Sequence, residues 1–280
     1  MRSLLLTLTL VLLAPLASRA QTAVIVTTTP VPLDTASASR STIGKLRYLG
    51  GHHLVSDNPN FSGISGATMV GPDELMAITD RGHWLRIKLL LDKGRVTGVA
   101  GADLNPMRRG DGEPLAWPWS DAEEVVRFGD QLIVSFEQHH RLWRYPLGTM
   151  VDARPTPLPI PPALQRADHN HGAEAMVVLG DHLLVVREWA GPDGRYPGWR
   201  IGPIGKAAAP SFEELTYTTD EGLRPTAMVK HGRHIYVLER RYFEKADRTV
   251  ARLVRFPAKA AIKGATITTT ELARFGGTVT

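Results

Sequence analysis

The chain has 280 residues, with 33 Lys and Arg against 28 Asp and Glu, 43% apolar and 22% charged residues. That composition supplies a packed core and excludes a disordered or fibrous chain. The absence of Cys excludes a disulfide scaffold, thiolate metal sites and a cysteine nucleophile together.

In chain order, the first expected element is a secretory leader. Met1-Arg2-Ser3 is a short basic start, Leu4 to Leu16 is an apolar run, and Ser18-Arg19-Ala20 offers small residues where a signal peptidase reads. The run is shorter than the roughly 20 residues that span a bilayer. Residues 1–20 are therefore read as a signal peptide cleaved after Ala20, and the destination as periplasmic or secreted. The remaining chain carries a formal charge of +3, too small a surplus to imply nucleic acid or a membrane surface as partner. Residues 21–43 read as an N-terminal lead-in, rich in Thr, Ser and Pro from Thr27 to Thr42. Within it Ala23 to Val26 is expected to form an edge strand completing the last repeat.

Four segments then share one grammar: a polar entry, a β-rich run, a Gly/Asp turn, a second apolar run and an acid. They run from Ser65 to Asp80-Arg81, from Asp121 to Glu137, from Gly172 to Arg187-Glu188 and from Pro225 to Glu239-Arg240. The closing acids fall at intervals of 57, 51 and 51 residues. Leu75 to Thr79, Leu132 to Phe136, Leu183 to Val186 and Ile235 to Leu238 are too short for helices and are preceded by turn residues such as Gly129-Asp130 and Gly180-Asp181. Third strands are expected at Trp84 to Leu89, Arg141 to Tyr145 and Ala251 to Phe256. Pro146 to Pro162 holds six prolines and reads as an extended excursion. The best helix signal is the capping-box spacing Ser211-Phe212-Glu213-Glu214, which predicts one helical turn.

A period near 50 residues built of short antiparallel strands predicts an all-β fold, a β-propeller whose blades stack around an axis. Four repeats are clear, and chain length over the repeat predicts about five blades, either with a divergent last blade or in a ring short of its last blade at the C-terminus, across residues 44–280.

The segments Phe61-Ser62-Gly63-Ile64-Ser65-Gly66, Ile78-Thr79-Asp80-Arg81-Gly82, Asp121-Ala122-Glu123-Glu124 and Val134-Ser135-Phe136-Glu137 resemble the family called esterase-like activity of phytase, the phytase-like domain. Ala173-Glu174-Ala175-Met176 and Leu238-Glu239-Arg240 extend the likeness. The resemblance implies a secreted propeller of about six blades with ester or phosphoester hydrolase activity. Two departures stand out. Glu124 occupies a place where the family usually has Gly, and a final Asn-Met-Glu-Gly-like unit is missing after Thr280.

If the closing acids lie at one depth beside the axis, Asp80, Glu137, Glu188 and Glu239 converge there with Glu123 and Glu174. Carboxylates gathered in a low dielectric repel unless a cation compensates them, and oxygen ligands from several blades suit Ca²⁺. Arg81, Arg187 and Arg240 lie beside three of these acids and are candidates for gripping a phosphate. The alternative for the same residues is a structural belt, each acid tied to backbone or Arg of a neighbouring blade. Ser65 as a nucleophile and His169-Asn170-His171 as metal ligands are weaker candidates.

The functional expectation is metal-assisted hydrolysis of a small-molecule phosphoester or ester by a monomer without a membrane span. A non-catalytic propeller binding a ligand or protein at its channel mouth, and a lactonase-like hydrolase, are the alternatives.

Overall fold

Four sheets, antiparallel except where Thr266–Ile267 joins the edge of the third in parallel, follow one another along the chain and form the four blades of a propeller. The computed structural model describes residues 21–148, 150–205 and 209–278; the leader expected at 1–20 lies outside the described residues. Blade I consists of β1 (Ile64–Met69), β2 (Glu74–Thr79), β3 (His83–Asp92) and β4 (Arg95–Pro106). Blade II consists of β5 (Ala122–Phe128), β6 (Gln131–Phe136), β7 (Arg141–Pro146) and β8 (Thr156–Leu158). Blade III holds β9 (Ala173–Leu179), β10 (His182–Arg187), β11 (Tyr196–Gly202) and β12 (Ser211–Tyr217). Blade IV holds β13 (Arg224–His231), β14 (His234–Phe243), β15 (Arg248–Pro257) and β16 (Thr270–Thr278).

Each blade pairs its strands in sequence order from the axis outward, and the first strands β1, β5, β9 and β13 pack side by side in that order. The second strands are covered on both faces: β6 is buried at every position but its first. Such strands read as continuous apolar runs rather than alternations. β15, nearer the rim, alternates buried and half-buried residues along its length. Gly129, Gly180 and Gly232 open the inner hairpin turns with φ of 62°, 65° and 56°. That left-handed backbone suits glycine, which has no Cβ to clash.

The core lies in the seams between blades. One cluster joins blades I and II around Trp84, Phe136 and Tyr145. A second joins II and III around Leu142, Met176 and Trp199, and a third joins III and IV around Tyr217, Val237 and Phe256. Trp84 meets Tyr145 edge-on at 5.0 Å, and the Tyr145 hydroxyl donates to the Arg108 carbonyl at 2.9 Å. Arginines clamp neighbours: Arg127 donates to the Val70 carbonyl at 2.7 Å and Arg144 to the Ile204 carbonyl at 2.9 Å.

The expectation of five to six blades is corrected to four, and the lead-in explains the difference. The fourth cluster packs the outer face of blade I against Val24, Val26, Leu54 and Phe61 of the N-terminal segment. Further along that segment the short hairpin Thr42–Ile43/Leu46–Arg47 docks on blade IV, where the Lys45 amide donates to the Leu272 carbonyl at 2.7 Å. The chain ahead of the first blade, residues 21–61, thus reaches from blade I to blade IV, and β16 is absorbed as the fourth strand of blade IV instead of starting another unit. The edge strand Ala23–Val24 pairs with β4 of blade I, not with the last blade.

The helical turn expected at Ser211 is also corrected. Ser211–Tyr217 is a strand, because Glu213 faces Arg200 across the β11–β12 pair at 2.9 Å and Leu215 and Tyr217 reach the core. The one α-helical turn described is Pro162–Gln165, at the end of the proline-rich excursion.

The first strands crowd at the axis. A Cβ on Gly66 would sit 2.8 Å from the Glu124 Cα and the Val125 nitrogen, both backbone atoms that move only with their strand. Gly66→Ala is therefore expected to destabilise the fold by about 1–3 kcal/mol, read as a lower urea midpoint at unchanged slope.

Candidate functional site

Every inner strand carries the same irregularity near its start, at the second residue in blades I to III and the third in blade IV. Pairing skips one position between Ile64 and Gly66, Ala122 and Glu124, Ala173 and Ala175, and Pro225 and Ala227. The bulged residues are Ser65, Glu123, Glu174 and Thr226. A bulge re-aims its side chain out of the alternation, and here the repeated bulge delivers Glu123 and Glu174 to one mouth of the propeller.

The pairing also aligns the ends of the second strands. Ile64 faces Thr79, Ala122 faces Phe136, Ala173 faces Arg187 and Pro225 faces Glu239. The residues that follow these partners are Asp80, Glu137, Glu188 and Arg240. The amides of Asp80, Glu137 and Glu188 donate to the carbonyls of Gly63, Asp121 and Gly172 at 2.9, 2.9 and 3.1 Å. So Arg240, not Glu239, is the blade IV counterpart of the two glutamates.

A one-residue slip sends a strand side chain to the opposite face, which accounts for Glu239. Its side chain is fully buried, and it accepts from the Tyr217 hydroxyl at 2.5 Å and the Thr219 hydroxyl at 3.1 Å, and pairs with Arg252. Glu239 therefore does not join the other acids and is held in the scaffold. The same alternation takes Arg187 away from the mouth, where its Nε donates to the Trp189 carbonyl at 3.0 Å. Arg81 donates to the Pro59 carbonyl at 3.0 Å. Asp80 is exposed beside Gly63; partial burial and the Asp121 charge raise its carboxyl, while Arg81 opposes them.

Glu123, Glu137, Glu174, Glu188 and Arg240 do come together, lining a cavity of about 620 Å³ at the mouth. The sequence expectation missed Asp121 and Arg224 in that lining. Asp121 precedes Glu123 by two residues, a spacing that puts both on one side of an extended chain, and that signal was available. Arg224 occupies in blade IV the place that Asp121 and Gly172 hold in blades II and III, which only the pairing reveals. One ligand oxygen each from Asp121, Glu123 and Glu137 lies within 4.8 Å of the others.

Burial dominates the electrostatics. It raises the Glu123 carboxyl strongly, with the Glu137 and Asp121 charges adding to it. It raises Glu174 strongly too, with Glu188, Glu123 and Glu137 adding and Arg240 opposing. Glu137 is pushed up to about 7 by burial, partly offset by the Gly172 amide that donates to its Oε1, with Glu188 and Asp121 adding. Glu124, packed against Gly66, is raised to about 8 by burial while the Val125 amide opposes the shift.

Folded carboxyls with raised values bind protons more tightly than the unfolded chain does, whose ordinary value is 4.5. Between the two values the folded chain holds more protons, so raising pH withdraws stability. In chelator the unfolding midpoint is expected to fall by roughly a few degrees as pH rises from about 5 to about 8, measured by circular dichroism. A midpoint that rises over that window would contradict the burial of these acids.

Aromatic residues frame the mouth. Trp189 stacks on His171 at 4.1 Å and carries the Arg224 guanidinium 3.7 Å over its ring. Arg224 lies 3.6 Å from Glu188, and His171 lies 3.2 Å from Asp168. Trp117, 67% exposed, lines the mouth as well. Among the described residues the Ser65 hydroxyl donates to the Gly63 carbonyl, at 3.3 Å.

The arrangement defines a β-propeller with an acid-rich channel mouth bordered by arginine and tryptophan. The chain belongs to the phytase-like family described as esterase-like activity of phytase, whose family model matches residues 59–278. No curated protein matches the sequence. Similar solved structures include the β-propeller domain of Cps50 (Swd1) from Myceliophteria thermophila, 14% identical over 76% of this chain and 73% of that one, with a TM-score of 0.37. Another is apo AztD from Citrobacter koseri, 13% identical over 92% of this chain and 62% of that one, with a TM-score of 0.35. A third is the computationally designed Ika8 protein, 8% identical over 76% of this chain and 62% of that one, with a TM-score of 0.35. Likeness at this level says nothing of activity. Among the described residues no helix is long and apolar enough to cross a membrane.

Proposed function

We propose that the protein is an exported, metal-assisted hydrolase of a small phosphoester or carboxylic ester. The observation that carries this reading is the approach of Asp121, Glu123 and Glu137 within 4.8 Å of one another in a cavity that also holds Glu174, Glu188, Arg224 and Arg240. The donor set fits a hard divalent cation. It offers only carboxylate oxygens, and burial together with mutual repulsion raises Glu123 and Glu137 in a way that a cation would relieve. Asp121, Glu123 and Glu137 would hold Ca²⁺. Bound there, the ion supplies Lewis-acid polarisation and lowers the pKa of a coordinated water.

The protein's own groups supply the rest. Glu174, whose burial favours the protonated form, donates a proton to the leaving oxygen. Arg240 makes no ion pair among the described residues and is available to neutralise negative charge on the reacting group, with Arg224 beside it. Trp117 and Trp189 border the mouth and exclude water from one side of the substrate.

The leader at residues 1–20 supports export to the periplasm or beyond, with Gln21 as the first mature residue; mass spectrometry of the exported protein tests this. Turnover is tested with purified protein on phytate, aryl phosphates and aryl esters, with calcium and with chelator. Calcium-dependent hydrolysis of one class is expected. Rates indistinguishable from buffer for all of them would leave the binding-propeller alternative.

A further inference from the structure

Blade IV inverts the charge that blades II and III bring to the mouth. At the place before Ala122, Ala173 and Pro225, Asp121 of blade II and Gly172 of blade III are replaced by Arg224. At the place after the second-strand partner, Glu137 and Glu188 are replaced by Arg240. One residue further, Gln138 and Trp189 are replaced by Arg241. These equivalences follow from the strand register. The inversion is local, and it faces a second cavity.

That cavity, of about 910 Å³, shares Glu188, Arg224 and Arg240 with the acidic mouth, so the two adjoin at these residues. Its further walls include Arg241, Lys245 and Glu244 from the end of β14 and the following 3₁₀ turn. Glu188 is already engaged by Arg224 at 3.6 Å. Arg241 donates from one nitrogen to the Glu221 carbonyl at 2.6 Å, which orients the guanidinium and leaves its other donors. The Arg241 guanidinium also lies 4.8 Å from the centre of the Phe243 ring. The side chains of Arg240 and Lys245 make no hydrogen bond or ion pair among the described residues. With Glu188 engaged by Arg224, Glu244 is the remaining carboxylate of this lining against Arg240, Arg241 and Lys245. A surplus of cations along a concave wall raises the local concentration of anions, and arginine pairs oxyanions bidentately.

We propose that Arg240, Arg241 and Lys245 form an anion subsite on blade IV, next to the carboxylate cluster, that holds a phosphate or carboxylate group of the ligand remote from the bond to be cleaved. The assignment of that ligand as a substrate rests on the hydrolase reading above; the anion subsite itself does not. The adjoining cavities therefore select esters with two functional ends: one reacting at the acids and one anionic group anchored on blade IV.

The test is calorimetric titration of the full chain with inorganic phosphate, and separately with citrate, both in chelator so that no metal contributes. Wild-type protein is expected to bind one of the two anions. Lys245→Ala and Arg241→Gln are each expected to weaken that binding about fivefold, and the double variant more than about tenfold. Lys245 is exposed, so Lys245→Ala keeps the test readable if Arg241→Gln unfolds. Glu123→Gln, at the acidic end, is expected to leave anion binding in chelator undiminished. Absence of anion binding by the wild type, or equal affinity in wild type and Lys245→Ala, would overturn the subsite. A failed calcium titration would overturn the hydrolase reading and leave this result intact.

Discussion

Glu137→Gln is expected to lower calcium-dependent hydrolysis by at least about a hundredfold while raising the melting temperature in chelator. The amide keeps an oxygen for the Gly172 N–H, which donates to Glu137 Oε1 in the native protein, so the strand junction between blades II and III survives. What disappears is the charge. Glu123 and Glu174 then lose one repelling neighbour, since Glu137 contributes to the upward shift of both. A variant that is more stable and nearly inactive separates a functional carboxylate from a scaffolding one, because loss of a scaffolding hydrogen bond would lower stability. Activity within about threefold of wild type, assayed at saturating calcium on the substrate class found to be turned over, would remove Glu137 from the reaction.

Arg252→Ala is expected to destabilise the fold by about 3–5 kcal/mol, the largest effect of a single change outside the seams. Arg252 pairs with the fully buried Glu239 and lies 3.3 Å from Asp220 and 3.5 Å from Glu271. Removing the guanidinium leaves a carboxylate in the interior with only the Tyr217 and Thr219 hydroxyls as donors. Glu239→Gln is expected to cost less, since the amide accepts the same two hydroxyls without a net charge. Calcium affinity of the folded Arg252→Ala protein is expected to match wild type, because Glu239 lies across the sheet from the acidic mouth. Urea unfolding and calcium titration check the two halves separately.

The contrast between Glu137 and Glu239 shows how far the sequence could be read. Short apolar runs such as Leu132 to Phe136, each introduced by a glycine turn, announce strands, and their recurrence announces blades. Spacing between acids, however, counts residues and not faces. An equal interval of 51 residues placed Glu239 with Glu137 and Glu188, yet blade IV enters its pairing one residue later and puts Arg240 at that point. Bulges at Glu123 and Glu174 are equally invisible in composition, because they show only in the pairing of the first strands with the second.

The blade count went astray for a different reason. Residues 21 to 61 have no blade-like pattern, only short pairs such as Thr27–Pro30 with His52–Val55. They nevertheless cover blade I and touch blade IV, a tertiary role that local periodicity does not encode. The aromatic frame was legible only in part. Trp117 stands out in the run Trp117-Pro118-Trp119, while the stack of His171, Trp189 and Arg224 joins residues up to 53 positions apart in the chain.

Isothermal titration with calcium chloride tests the central claim most directly. The account predicts one site per chain in the wild-type protein at neutral pH, with release of protons from the carboxyl cluster, and no measurable site once Asp121→Asn and Glu123→Gln are combined. Wild-type protein that binds no calcium, or a double variant that binds it as tightly as wild type, would contradict it.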